Sequence, residues 1–309
     1  MKTLITGGAG FIGSHLVRQL LQAGHRVFVL DNVSSGSWQH LPAGKDSCTC
    51  LQMDIRDAAV KDKILQENFD IIVHLAAQTM VDSSIKDPVF DASENIMGTL
   101  NVLEAARQCG ARVIFASTAA AYGDVVESDL PVLEIHDLHP QSFYGLTKVG
   151  VEKYLALYHE HYGLDYVVCR FANVYGERQG DSGEGGVISI FAKRIAAGQD
   201  ITIYGDGTQT RDFVYAGDIA RGICKAMTTR NVNTVYNLSS QTETSLLELV
   251  RIMGDVSGCE IEPNFGPVRE GDIYRSMLSN QKAKAGLGWE PQVSLEDGLR
   301  RTMEYFQGI

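Results

Sequence analysis

The segment TGGAGFIG at residues 6–13 constrains this chain more than any other. It follows the short apolar run TLIT and precedes a helical pattern from Ser14 to Ala23, so it reads as a strand-to-helix turn. Gly7, Gly10 and Gly13 leave the backbone bare there, which lets a dinucleotide pyrophosphate approach the amides and meet the helix N-terminus. The next strand-like run, RVFVLD, ends on Asp31, where a carboxylate can accept the hydroxyls of an adenosine ribose. The same charge repels a ribose 2′-phosphate, so NAD is expected rather than NADP.

Strand and helix signals alternate onward from this turn, through a helix near Lys61–Gln66, the run DIIVHLA, a helix near Asn95–Gln108 and RVIFAST. Such alternation calls for a parallel sheet covered on both faces. The expected fold class is α/β, a Rossmann-type doubly wound sheet with a smaller α/β C-terminal substrate lobe. Residues 1–172 form the expected cofactor domain, completed by part of 207–238, and 173–309 mainly form the substrate lobe. The glycine-rich QGDSGEGG stretch at 179–186 reads as an exposed loop at the start of that lobe.

Charge excludes some partners. The 27 Lys and Arg against 38 Asp and Glu give a net charge of −11, which disfavours non-specific binding to nucleic acid or to an anionic membrane. Six cysteines in 309 residues, without zinc-knuckle spacing, read as reduced thiols. The N-terminal apolar run is too short for a signal peptide and no long apolar stretch follows, so a cytoplasmic enzyme is expected. His15 and His74 fall on elements expected to be buried, and no metal site is assigned.

Tyr144 and Lys148 in YGLTK are four apart on a predicted helix and project from one face. An ammonium beside a tyrosine stabilises its phenolate, so Lys148 and a nicotinamide cation are expected to lower the pKa of Tyr144. Upstream, VIFASTAAAYG ends a strand on Ser117 and Thr118, which supplies a hydroxyl for a substrate oxygen. Asp54 in MDIRD can accept from an adenine amino group or cap the segment that follows.

Taken in order, TGGAGFIG, HLAAQ, FASTAAAYG and YGLTK resemble the extended short-chain dehydrogenase/reductase family, in particular its nucleotide-sugar epimerases and dehydratases. The resemblance spans essentially the whole chain. It implies that Tyr144 is the catalytic base, that Lys148 holds the nicotinamide ribose, and that Thr118 is the catalytic hydroxyl. It places Gly7, Gly10, Phe11, Ile12 and Gly13 at the pyrophosphate, and Asp31, Asn32, Ser35 and Gly36 at the adenosine ribose. Asp54 and Ile55 fall at the adenine, Leu75, Ala76, Ala77 and Gln78 on the loop over the cofactor, and Asn95 on the cofactor-side helix. Ser84, Asn173, Arg211, Arg269, Asp272 and Ser276 fall on the substrate side. Of these, Arg211 and Arg269 suit capture of a diphosphate on an acidic protein, because each guanidinium fork binds two oxygens. Ser276 is expected at a gate where a small side chain admits a 2-acetamido group.

Dehydratases and decarboxylases of this family carry an acid just after the hydroxyl pair, where this chain has Ala119 and Ala120. An alanine moves no proton, so 4-epimerisation of a UDP-hexose through a transient 4-keto sugar is expected. UDP-glucose/UDP-galactose is the first pair, with the N-acetylhexosamines beside it. The alternatives are a dehydratase that takes an acid such as Glu177 or Asp181 from the second lobe, or another nucleotide-sugar epimerase, for example of UDP-glucuronate. The resemblance also implies a homodimer through helices at Met97–Gln108 and Gly150–Tyr162.

Overall fold

The computed structural model describes residues 1–43, 48–180, 185–268 and 273–308. Its spine is a seven-stranded, all-parallel sheet. The first six strands are β1 (Lys2–Thr6), β2 (Arg26–Asp31), β3 (Thr49–Gln52), β4 (Ile71–His74), β5 (Arg112–Thr118) and β6 (Tyr166–Phe171). The seventh, Thr234–Leu238, pairs with β6 at one edge. From that edge the order runs through β6, β5, β4, β1 and β2 to β3.

Sequence and topology agree on why the sheet is covered twice. Every residue of β4 and β6 is buried, as a parallel strand between two helical layers requires. On one face lie α1 (Phe11–Gln22) and the helix Ala216–Thr228, packed on Leu16, Val17, Leu20, Ile219 and Ile223. On the other lie α2 (Ala59–Glu67), α5 (Thr99–Cys109) and α6 (Phe143–Tyr162), over a core that includes Leu4, Ile72, Val102, Val113 and Leu155. Two short helices, α3 (Val81–Lys86) and α4 (Pro88–Ala92), and a π-helical turn, Ser93–Gly98, lead into α5. Each fully buried aliphatic side chain contributes about 1.5–3 kcal/mol relative to exposure.

Helix ends follow their local chemistry. Ser142 caps α6 by accepting the Gly145 amide at 3.1 Å, and Gly163 closes it in the left-handed region. One boundary differs from expectation: α1 begins at Phe11 rather than Ser14, because the glycine turn itself supplies the first helical turn, with Ser14 Oγ donating to the Phe11 carbonyl at 2.8 Å.

Among the described residues the second lobe has no sheet of its own beyond three strand pairs. Asn173–Tyr175 pairs with Phe213–Tyr215, Thr210–Arg211 with Thr244–Ser245, and Thr202–Tyr204 with Asn264–Gly266. Helices Val187–Ala196, Leu246–Ser257 and Leu295–Gln307 enclose Phe191, Ile203, Leu249, Met253 and Leu299. Among the described residues no helix is long and apolar enough to cross a membrane.

Candidate active site

The chain runs β1–β2–β3 in one direction from the centre of the sheet and then returns to β4, β5 and β6 on the other side. That reversal opens a crevice beyond the carboxyl ends of β1 and β4, where ligands bind in doubly wound sheets. A cleft of about 440 Å³ lies there.

Its floor is the glycine turn. Gly7 has φ +70°, and a side chain there would put Cβ 2.6 Å from the Ala76 nitrogen. A Cβ on Gly13 would lie 2.3 Å from the Gly7 carbonyl oxygen, so the turn and α1 pack together only as glycines. Gly7, Gly10, Phe11, Ile12 and Gly13 all line the cleft.

Asp31 stands at the rim, buried at the end of β2. One carboxylate oxygen accepts the Ala9 amide at 2.9 Å and the other the Val33 amide at 2.8 Å. Burial raises its pKa, and those two amides draw it back. A carboxylate has about four acceptor sites, so two remain for a ribose diol. Asn32, Ser35, Gly36 and Ile55 line the same end, together with Glu94.

Asp54 does not line the cleft. Its carboxylate accepts from Asn32 Nδ2 at 2.9 Å and from Arg56 Nε and Nη2 at 2.9 and 2.7 Å, bonds that hold it well below the usual carboxylate range. It fixes Asn32 and Arg56, and Arg56 in turn pairs with Glu94 at 2.9 Å. Leu75, Ala76 and Ala77 form the opposite wall, but Gln78 and Asn95 turn away from it. Asn95 Oδ1 accepts the Gln78 amide and Asn95 Nδ2 donates to the Gln78 carbonyl, both at 2.9 Å, so Asn95 holds the wall from behind. Ser84 is also off the cleft: it is wholly buried in α3, with its hydroxyl donated to the Val81 carbonyl at 2.7 Å.

Ser117, Thr118, Tyr144 and Lys148 converge on the central part of the cleft. β5 delivers the two hydroxyls at its carboxyl end, and the first two turns of α6 deliver Tyr144 and Lys148. Thr118 neighbours the Tyr144 hydroxyl and accepts the Ala120 amide at 3.1 Å. Lys148 Nζ donates to the Ala116 carbonyl at 3.0 Å and lies 5.9 Å from the centre of the Tyr144 ring.

The expected lowering of the Tyr144 pKa is not what the protein alone produces. Burial pushes the phenol up to about 12; the neighbouring Thr118 hydroxyl pulls it down, and the Asp91 charge pushes it further up. Burial lowers Lys148 to about 8, with Asp91 and Glu152 holding its ammonium charge in place. Desolvation of the phenolate dominates, and Lys148, bonded to a backbone oxygen and 5.9 Å from the ring centre, is not among the groups that lower the phenol's pKa.

Histidines and arginines nearby are structural. His74 is buried between Thr6 Oγ1 at 2.6 Å and Thr99 Oγ1 at 2.8 Å, and His15 lies against Glu177. Arg170 forms a buried pair with Glu152 at 2.6 Å and donates to the Tyr122 hydroxyl.

From the second lobe, Asn173, Tyr175, Gln179, Val187 and Phe213 complete the cleft. Asn173 and Val187 are shared with an adjoining pocket of about 260 Å³ that is also walled by Tyr204, Gln209 and Arg211. Ser276 is half-buried and lies on neither wall. Arg269 and Asp272 lie outside the described residues, as does Asp181. The Glu177 carboxylate is engaged by the Tyr215 hydroxyl, 2.9 Å from each oxygen, and does not line the cleft. Sequence reasoning missed the apolar walls Val187 and Phe213 and the aromatic Tyr204, although apolar residues flanking NVYG and IYGDG were a visible signal.

Comparison with known proteins places these features in a lineage. The family described as GDP-mannose 4,6 dehydratase matches residues 4–302. A putative UDP-glucose 4-epimerase of Methanocaldococcus jannaschii is 40% identical over 306 residues, covering 98% of each chain. The crystal structure of the Thermotoga maritima UDP-glucose 4-epimerase with UDP-glucose is similar at a TM-score of 0.95 and 41% identity, over 100% of this chain and 99% of that one. The Thermus thermophilus UDP-glucose 4-epimerase in complex with NAD is similar at 0.91 and 38% identity, again over 100% and 99%.

Proposed function

Because the chain belongs to the family described as GDP-mannose 4,6 dehydratase, we propose that it interconverts a UDP-hexose and its 4-epimer with NAD as a resident cofactor. UDP-glucose and UDP-galactose are the first pair and the N-acetylhexosamines the second. The observation that carries this is the convergence of Thr118, Tyr144 and Lys148 beside a glycine-floored cleft in which no acid follows the hydroxyl pair. The dehydratase alternative needs an acid for elimination, and Glu177 is tied to Tyr215.

NAD, when bound, supplies reversible two-electron chemistry at C4 of the sugar and a positive charge. The glycine turn fits its pyrophosphate and Asp31 its adenosine ribose, with Asn32, Ser35 and Gly36 beside it. Tyr144 takes the proton of the 4-hydroxyl, and Thr118 holds the same oxygen so that the proton moves along a short path. The Lys148 ammonium stabilises the phenolate that Tyr144 must carry before it takes this proton and that reappears when it gives the proton back. The 4-keto sugar then turns over in the cleft, and Tyr144 returns the proton once C4 is reduced from the opposite face.

Turning requires that the nucleotide, not the hexose, be the anchor. The adjoining pocket suits it: Arg211 provides a fork for diphosphate oxygens and Tyr204 a face for the base. Arg269 and Asp272 keep their proposed diphosphate and ribose roles; Ser276, which lines neither pocket, is left without the gate role. In this division of labour residues 1–172, with part of 207–238, hold NAD, and 173–309 mainly hold the sugar nucleotide. Exposed Met97, Tyr154, Leu157 and Tyr162 support a homodimer through the segments Met97–Gln108 and Gly150–Tyr162. The six free thiols support a cytoplasmic setting.

The test is to incubate the protein with UDP-galactose, and separately with UDP-N-acetylgalactosamine, without added reductant and follow the sugar by proton NMR. Appearance of the gluco epimer without a lasting keto signal is expected. A stable keto product would replace the proposal with dehydration, and no change in either sugar would move the substrate to another nucleotide sugar.

A further inference from the structure

Asp91, on α4, is 0% exposed and takes no direct part in the proposed chemistry. Among the described residues no cation lies within ion-pair distance of its carboxylate, and the Lys148 ammonium feels its charge only through space; three neutral donors meet it directly. Gln78 Nε2 at 2.7 Å and Asn95 Nδ2 at 3.1 Å meet one oxygen, and Thr147 Oγ1 at 3.1 Å meets the other. A buried carboxylate without a cation is costly, and it is tolerated only where hydrogen bonds satisfy it.

The three donors come from three different elements. Gln78 ends the wall that presents Leu75, Ala76 and Ala77 to the cleft, and this wall lies against the glycine turn, with Ala76 nitrogen 2.6 Å from where a Gly7 Cβ would sit. Asn95 belongs to the π-helical turn and clasps both backbone groups of Gln78. Thr147 is on α6 between Tyr144 and Lys148, with its hydroxyl also 2.9 Å from the Tyr144 carbonyl. One carboxylate therefore ties the cofactor wall to the turn of helix that carries the catalytic pair.

We propose that Asp91 is a positioning residue that sets the spacing between the Leu75–Ala77 wall and the Tyr144–Lys148 turn. The inference rests on the epimerase reading for its chemistry, because transfer at C4 and proton removal at the 4-hydroxyl must happen in one geometry. A misplacement of about 1 Å can cost on the order of 100-fold in rate. Asp91 touches neither ligand, so its loss acts on kcat rather than on sugar binding.

The experiment compares Asp91→Ala, Asp91→Asn and Thr147→Val with the parent, as full-length NAD-loaded proteins acting on UDP-galactose. Asp91→Ala is expected to lower kcat per bound NAD about 10- to 100-fold with KM for the sugar within about twofold. Asparagine still accepts from Gln78 and Asn95 and can donate to the Thr147 oxygen, so Asp91→Asn should restore most of that loss. Should the alanine variant fail to fold, Thr147→Val reports on the α6 end alone, with a smaller fall in kcat and unchanged KM.

Hydrogen exchange supplies a readout independent of the sugar. In the Asp91 and Thr147 variants the Gln78 amide and the amides of 144–148 should lose protection together. Unchanged kcat in the variant measured, loss explained wholly by NAD occupancy or KM, or unaltered exchange at both segments would overturn the proposal. A parent inactive on UDP-galactose, combined with the exchange changes, would instead sink the epimerase reading and leave the positioning role standing.

Discussion

The cofactor half and the second lobe hold their share of the cleft by different physical means. In the first half the wall is backbone: Gly7 and Gly13 pack where a Cβ would collide, and seven parallel strands keep the turn, β4 and β5 in register. In the second lobe the strand pairs are two or three residues long, and buried carboxylates fasten the chain between them. Asp212 accepts the Ser240 amide at 2.8 Å and the Gln241 and Leu278 amides at 3.2 Å. Asp218, on the helix packed beside α1 against the sheet, accepts the Gln292 and Val293 amides at 2.9 and 3.0 Å, while its carbonyl takes the Trp289 indole at 2.9 Å, so it fastens the chain leading into the last helix onto the cofactor half. Where a cofactor is constant, rigid backbone suffices; where a sugar must turn, a lobe tied by side chains can be reshaped by few substitutions.

The sharpest way to separate the two halves is to disable chemistry without touching either wall. Tyr144→Phe should lower kcat by roughly 10³-fold or more while NAD stays bound and thermal unfolding is unchanged, which steady-state kinetics and cofactor release after denaturation will show. Turnover at the parental rate would remove Tyr144 from the mechanism.

Next in size is the lobe's own fastening. Asp212→Ala leaves several amides without an acceptor, including the buried Leu278 nitrogen, and should cost about 3 kcal/mol in chemical denaturation. If the halves are held independently, KM for the sugar nucleotide rises and the affinity for NAD does not change. Equal damage to both would erase the distinction.

Acid offers a smaller and opposed test. Burial lowers His74 to about 3 and His15 to about 4, so below pH 6.5 the unfolded chain binds protons that the folded one refuses. The stability they contribute is complete above pH 6.5 and falls as pH drops toward those values, by up to about 1.4 kcal/mol per pH unit for each group. Asp212 works the other way: burial raises it to about 6 from 3.8, so its penalty is full above pH 6 and fades below. Thermal unfolding followed from pH 7 to pH 5 should therefore show the β4 region weakening while the Asp212 region gains, with hydrogen exchange assigning each.

The smallest effect concerns strain beside the cofactor. Val33 adopts φ 53°, a conformation that a β-branched side chain disfavours, directly after the pair that carries Asp31 and Asn32. Val33→Gly should relieve on the order of 1 kcal/mol, offset in part by greater freedom of the unfolded chain, and leave NAD affinity within a few-fold. A loss of stability would mean that Val33's packing outweighs its backbone cost.

Much of the first half was legible because its signals are local. A glycine turn, an acid at the end of the next strand and a tyrosine four residues before a lysine each lie within one or two elements, and periodicity places them. Asn95, Gln78 and Ser84 show the limit of such reading: motif position set them near the cleft, yet their side chains bond behind its wall or inside α3. Asp91 was illegible for the same reason, because its three partners lie 4, 13 and 56 residues away and only the fold brings them together.

By itself the sequence determined the doubly wound order, the bare backbone of the turn and the identity of the groups that can move a proton, since these depend on short-range sterics and side-chain chemistry. Tertiary structure alone decided that burial raises the Tyr144 pKa, that Glu177 is occupied by Tyr215, and that Asp91 spans wall and helix. Desolvation and hydrogen-bond partnership belong to the assembled surroundings of a group, and no stretch of chain carries them before those surroundings exist.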